Sequence, residues 1–289
     1  MKKYKILVWL GIMAALTLLA MGLWFVCGGD VQSTNSLKWL QFLQTAGTFL
    51  IPPFICAWLW SDDHQPLTWL KLTNNQSPIT YHLYLLAILI MICALPGINL
   101  LADLNSRIQL PESLASIEQI LKQQEEAAAL LTERFLQAEN IGVLILNIGL
   151  MALLPALAEE LSFRGTLQQI ISDKSPITNH QSQIHIAVWI TAIVFSAIHM
   201  QFYGFIPRML MGAMFGYIFV WSGSLWLPIV MHFTNNGLAV IVYYILGESL
   251  DGKNYADSIG AGTTWWLGVL SIVLTSLGLL IFYRRTHIR

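Results

Sequence analysis

The chain has 289 residues, of which 56% are hydrophobic and 11% are charged, with a formal net charge of −1. Soluble domains carry roughly 25% charged residues, so the composition excludes an ordinary soluble domain. The near-neutral balance offers no basic surface to a nucleic acid. The cysteines, Cys27, Cys56 and Cys93, lie in or beside apolar stretches without metal-ligand spacing and read as packing residues.

Lys2, Lys3 and Lys5 precede an uncharged run from Ile6 to Val26. This run exceeds the roughly 7–15 residues of a signal core and is followed by no small-residue cleavage site, so a retained first span is expected. Trp39 to Trp60 is expected to be a second span, interrupted at Pro52-Pro53, and Tyr81 to Leu101 a third. Aromatic residues gather at the ends of such runs, as at membrane interfaces. Leu110 to Asn140 is different. Leu114, Ile117, Leu121, Ala128, Leu131 and Phe135 recur at helical spacing, with Glu118, Glu125, Glu126 and Glu133 off that stripe. This predicts an amphipathic helix on the membrane surface or capping the bundle.

The fourth span is expected from Ile141 to about Ile171, ~45 Å long at helical rise. Ile184 to Met200, Phe205 to Trp221, Leu225 to Leu246 and Thr263 to Tyr283 follow as the fifth to eighth, with a polar acidic loop before the last. The expected fold is therefore an all-α integral membrane protein of about eight spans with one amphipathic extramembrane helix. Residues 1–140 are expected to form an N-terminal region of three spans plus the amphipathic helix, and 141–289 a membrane core with the C-terminal span. The basic ends, with Lys71 and Lys174, favour both termini in the cytoplasm of a plasma (inner) membrane, although Arg107, Lys122, Arg134, Arg208 and Lys253 fall on the other side.

Ionisable groups inside spans are costly and mark functional sites. Glu159 and Glu160 sit within the fourth span, and Arg164 lies four residues after Glu160, on the same helix face. Glu159 is turned about 100° away, so one carboxylate can be tied to Arg164 while the other faces a cavity. His199 and His232 lie in the fifth and seventh spans, whereas His64, His82, His180, His185 and His287 are in loops or near span ends and need no special role. Phe195 precedes His199 by four residues, and Asn236 follows His232 by four. Counted from the presumed cytoplasmic ends, Glu159 and His199 lie ~20 Å deep and His232 ~12 Å, which predicts one pocket reached from the cytoplasmic half. Pro155 and Pro228, each four residues before one of these groups, read either as cavity-opening bends or as ordinary membrane-helix prolines, Pro228 in a first turn. Gly212 and Gly216 form a small face for close helix packing.

Three elements in this order, Glu159-Glu160-Leu161-Ser162-Phe163-Arg164, Phe195-Ser196-Ala197-Ile198-His199 and His232-Phe233-Thr234-Asn235-Asn236, resemble the motifs of the CPBP family. These are the type II CAAX-protease and bacteriocin-processing membrane enzymes, and the likeness covers about residues 141–247. The resemblance implies an intramembrane endopeptidase of the glutamate type acting on a membrane-associated peptide or protein. It implies that Glu159 and His199 activate a water, that His232 and Asn236 hold the oxyanion, and that Glu160, Arg164 and Phe195 support them. No cofactor is required on this reading. A zinc held by Glu159, His199 and His232 is the alternative. Two other functions fit the same residues: a membrane protein that sequesters a peptide, as in bacteriocin immunity, and a proton-coupled transporter, against which the lack of an inverted repeat counts.

Overall fold

The computed structural model describes residues 2–61, 64–73, 80–173, 180–246 and 259–287. The polar acidic loop expected after the seventh span lies outside them, apart from its last few residues, as do Lys174 and Lys253. The described residues form helices α1 (Lys2–Val26), α2 (Thr34–Trp60), α3 (Tyr81–Ser106), α4 (Ala115–Leu136), α5 (Ile141–Ser172), α6 (His180–Ala197), α7 (Phe205–Ser222), α8 (Trp226–Leu246) and α9 (Trp265–His287). Seven are long and apolar enough to cross a membrane, and α6 is a shorter apolar helix. The protein is an all-helical integral membrane protein.

The prolines of α2 do not interrupt it. A π-helical turn, Ala46–Leu50, precedes Pro52-Pro53, and the helix continues to Trp60. Proline lacks an N–H and crowds the carbonyl four residues back, and a wider turn absorbs both effects. The same device recurs in α5, where Ile148–Leu153 is π-helical just before Pro155. A second π turn, Phe163–Gln168, follows the two glutamates. In α3, Pro96 is met differently. The Ser271 hydroxyl of α9 accepts from Gly97 N–H at 2.8 Å and donates to Cys93 O, so it sits between two groups a regular helix would join directly. Pro228 is the third residue of α8, an ordinary first-turn position.

The main core joins Leu83, Ala87, Ile90, Met91 and Ala94 of α3 to Phe215 and Ile218 of α7, Leu227 and Met231 of α8, and Phe282 of α9. A second cluster links Trp9 of α1, Cys56 of α2, Phe163 and Leu167 of α5, and Phe195 of α6. The turn between α7 and α8 closes at Gly223, whose φ of 65° and N–H bond to Phe219 O form a left-handed helix end.

Helix α4 caps the end of the bundle where α3 finishes, on a face that overlaps its apolar stripe in part. Of the stripe, Phe135 is buried and Leu121 and Ala128 are half-buried, as are Glu118, Glu125 and Glu133, while Leu114, Ile117 and Leu131 remain exposed. Glu118 pairs with Lys122 at 2.8 Å, and that hydrogen bond holds its carboxyl below the usual carboxylate range. Near its C-terminus Arg134 donates to Thr34 Oγ1 at 2.8 Å, and Asn147 of α5 donates to Leu136 O at 3.1 Å. These contacts and the buried Phe135 fix the C-terminal part of α4 to the bundle.

Candidate active site

The two adjacent glutamates of α5 have separate environments. Glu160 is fully buried, and its Oε1 accepts from Arg164 Nη1 at 2.8 Å and from His232 Nδ1 at 2.9 Å. Glu159, one position earlier, keeps 16% of its side chain accessible, and its Oε2 lies 3.9 Å from His232 Nε2. A carboxylate can only accept, so the Glu160 contact assigns a proton to His232 Nδ1 and leaves Nε2 toward Glu159. His232 also stacks on Phe215, with ring centres 5.6 Å apart.

Arg164 is fully buried within the π turn of α5. Its Nη2 reaches across to Gly212 O of α7 at 2.9 Å, and one helical turn on Gln168 Nε2 donates to Gly216 O at 3.1 Å. Gly212 and Gly216 thus do two things. They let α6 approach, since a Cβ on Gly212 would lie 3.2 Å from Phe195, and they bare two carbonyls for side chains of α5. The guanidinium lies 4.6 Å from the Phe195 ring centre and 5.4 Å from that of Phe215. A Cβ on Gly216 would sit 2.8 Å from Gln168 Oε1 and 3.0 Å from the buried Val188. Gly216→Val is expected to destabilise by about 1–3 kcal/mol through overpacking, read as a lowered unfolding midpoint in detergent.

His199 differs from expectation. Helix α6 stops at Ala197, and His199 lies in the turn beyond it, ahead of Met200 with φ 54°. Its Nδ1 is 2.7 Å from Phe195 O, which requires Nδ1 to donate and leaves Nε2 as the second ring nitrogen. Ring contact with Phe195 at 5.1 Å completes its seat. The loop carrying His199 is tied down from outside the motifs. Asn105 of α3, buried, donates to Phe202 O at 2.9 Å and also to Tyr203 O, while Glu125 of α4 accepts from Tyr203 N–H at 3.4 Å. On α8, Asn236 Nδ2 donates to Met151 O at 3.3 Å. Pro155, four residues after Met151, has no N–H to give that carbonyl, so the proline of one helix supplies the anchor for the asparagine of another.

Glu159, Phe195, His199, His232 and Asn236 all line one cavity of about 390 Å³. Arg208 and Asn235, which the motif reading passed over, line it too, with Ile98 and Ala102 of α3. A larger apolar groove of about 790 Å³ runs between α4 and helices α3 and α8, and shares Ile98 and Asn235 with the cavity. The cavity walls are the late residues of α3 and the start of α7, at the end of the bundle that carries α4 and lies opposite the start of α1.

Among the described residues, no group of three His, Cys, Asp or Glu side chains is placed to hold a metal ion. Glu159, His199 and His232 share the cavity without forming a ligand set.

Fold and cavity together define an integral membrane protein with a buried glutamate–histidine site. Residues 141–238 match the family described as Type II CAAX prenyl endopeptidase Rce1-like. Over 91 residues it is 30% identical to the uncharacterized protein YpbD of Bacillus subtilis (strain 168), a match covering 30% of this chain and 40% of that relative. No solved structure matches the chain.

Proposed function

We propose that the protein is an intramembrane endopeptidase that hydrolyses peptide bonds of a membrane-associated peptide or protein. The observation that carries this reading is the division of labour between neighbours: Glu160 is locked by Arg164 and His232, whereas Glu159 stays partly accessible in a cavity shared with His199, His232 and Asn236.

In this reading Glu159 takes a proton from a water that His199 Nε2 orients. The water oxygen forms a bond to the peptide carbonyl carbon, and the carbonyl electrons move onto oxygen. Asn236 Nδ2, which has a second hydrogen beyond the one given to Met151 O, meets that oxyanion. His232 joins it from Nε2 when doubly protonated, because its Nδ1–H is committed to Glu160. Collapse breaks the C–N bond, and the proton held by Glu159 leaves with the amine. The adjoining apolar groove supports a substrate that arrives from the membrane, with both chain termini on the cytoplasmic side.

Asn236→Ala tests the oxyanion role. Peptide cleavage in detergent, followed by mass spectrometry, is expected to show kcat lowered by about 10²–10³-fold with KM little changed. The same rates are expected with and without a chelator. A change confined to KM would move Asn236 from the transition state to substrate binding.

A further inference from the structure

One charged group of the cavity has no place in that mechanism. Arg208 stands in the first turn of α7, on the wall shared with Glu159, His199 and His232. Its guanidinium is seated rather than loose. Nη2 donates to Gln201 Oε1 at 2.6 Å, and the group lies on Gly204, where a Cβ would come within 3.0 Å of Nη2 and 3.3 Å of Nη1. Nη1 is shut off from the surroundings, yet it has no hydrogen-bond partner among the described residues. The carboxylates that act on this charge are Glu125 of α4 and Glu159, and neither is hydrogen-bonded to it. Glu125 is turned to Tyr203 N–H.

A buried cationic donor left without an acceptor is costly unless an acceptor arrives with a ligand. The guanidinium fork matches a carboxylate better than any other acceptor a peptide offers. We propose that Arg208 is the specificity residue of the cavity, its guanidinium turning to present Nη1 to a carboxylate of the entering substrate: the free C-terminus of the peptide or an acidic side chain close to the cut. This rests on the peptidase reading and adds to it the chemistry of the substrate. Such a group also offsets the mutual repulsion between an acidic substrate and Glu159.

The test uses the full-length protein in detergent and three short apolar peptides of one sequence: a free C-terminal acid, its amide, and the amide with one Asp near the centre. Cleavage is compared for wild type, Arg208→Gln and Arg208→Lys. Binding of the same fluorescent peptides is measured in a His199→Gln background. Wild type is expected to favour at least one carboxylate-bearing peptide over the neutral amide by about 10- to 100-fold. Preference for the free acid identifies the C-terminus as the source, and preference for the Asp peptide identifies the side chain. Arg208→Gln is expected to erase the preference while still cleaving the neutral amide, and Arg208→Lys to keep part of it. No preference in wild type, or an equal loss on all three peptides in Arg208→Gln, overturns the assignment. If nothing is cleaved but the binding preference is present and depends on Arg208, the peptidase reading fails and carboxylate recognition stands. If Arg208→Gln does not fold, a binding preference weakened in Arg208→Lys supports the assignment, and one unchanged from wild type overturns it.

Discussion

Glu159→Gln is expected to lower peptide cleavage by about 10²–10⁴-fold, the range over which a positioned general base contributes, without shifting the unfolding midpoint. The amide fills the same space but cannot accept a proton. Glu159 also has little structural duty, since its nearest basic nitrogen, His232 Nε2, is 3.9 Å away. Glu160→Gln should behave in the opposite way. It removes the charge that faces Arg164 and His232 in a fully buried pocket, so stability falls as well as activity. The contrast between neighbours is the informative part. Equal losses of activity with equal losses of stability at both positions would mean that the pair is one structural cluster, and the base would have to be sought elsewhere. Peptide binding in the wild type with no cleavage would favour a sequestering role, and proton-coupled flux in liposomes a transporter.

Much of this site was legible in the sequence because charge inside an apolar run is so rarely tolerated. Glu160 and Arg164 share a face by spacing alone, and the structure joins them at 2.8 Å. His232 and Asn236 needed no more than the same rule to be placed on one wall. What spacing could not give was where helices end. His199 looks internal to an apolar run, but Met200 takes a left-handed conformation and the helix has already stopped at Ala197. Nor could it give the partners outside the motifs. Asn105 is one of many polar residues near a span end, and nothing in its neighbourhood says that its amide will hold the loop beyond α6. Arg208 counts in the sequence only as one of the cations beyond the presumed cytoplasmic side, yet the structure sets it on the cavity wall. The stripe of α4 was legible in part: Phe135, Leu121 and Ala128 are sheltered and Leu114, Ile117 and Leu131 are not, because amphipathicity marks a face without fixing its line of contact.

Arg164→Met should cost about 3–5 kcal/mol, because it leaves the Glu160 carboxylate buried with no full countercharge. The size follows from how much rests on this one guanidinium. It binds Glu160 of its own helix and Gly212 O of α7 while lying near the rings of Phe195 and Phe215, so it joins α5, α6 and α7 at one point. Lysine is a poor substitute, since it retains the charge but not the flat fork that reaches both acceptors and rests against aromatic faces. Activity should fall with stability, for Glu160 Oε1 is also what fixes the proton on His232 Nδ1. The double variant Glu160→Gln with Arg164→Met separates charge from packing. With neither ion present it should recover a substantial part of the stability lost in Arg164→Met alone, as buried pairs replaced together usually do. Unfolding midpoints of the four proteins in one detergent supply the cycle. A single Arg164→Met variant as stable as wild type would show that the buried carboxylate does not depend on this arginine for its charge.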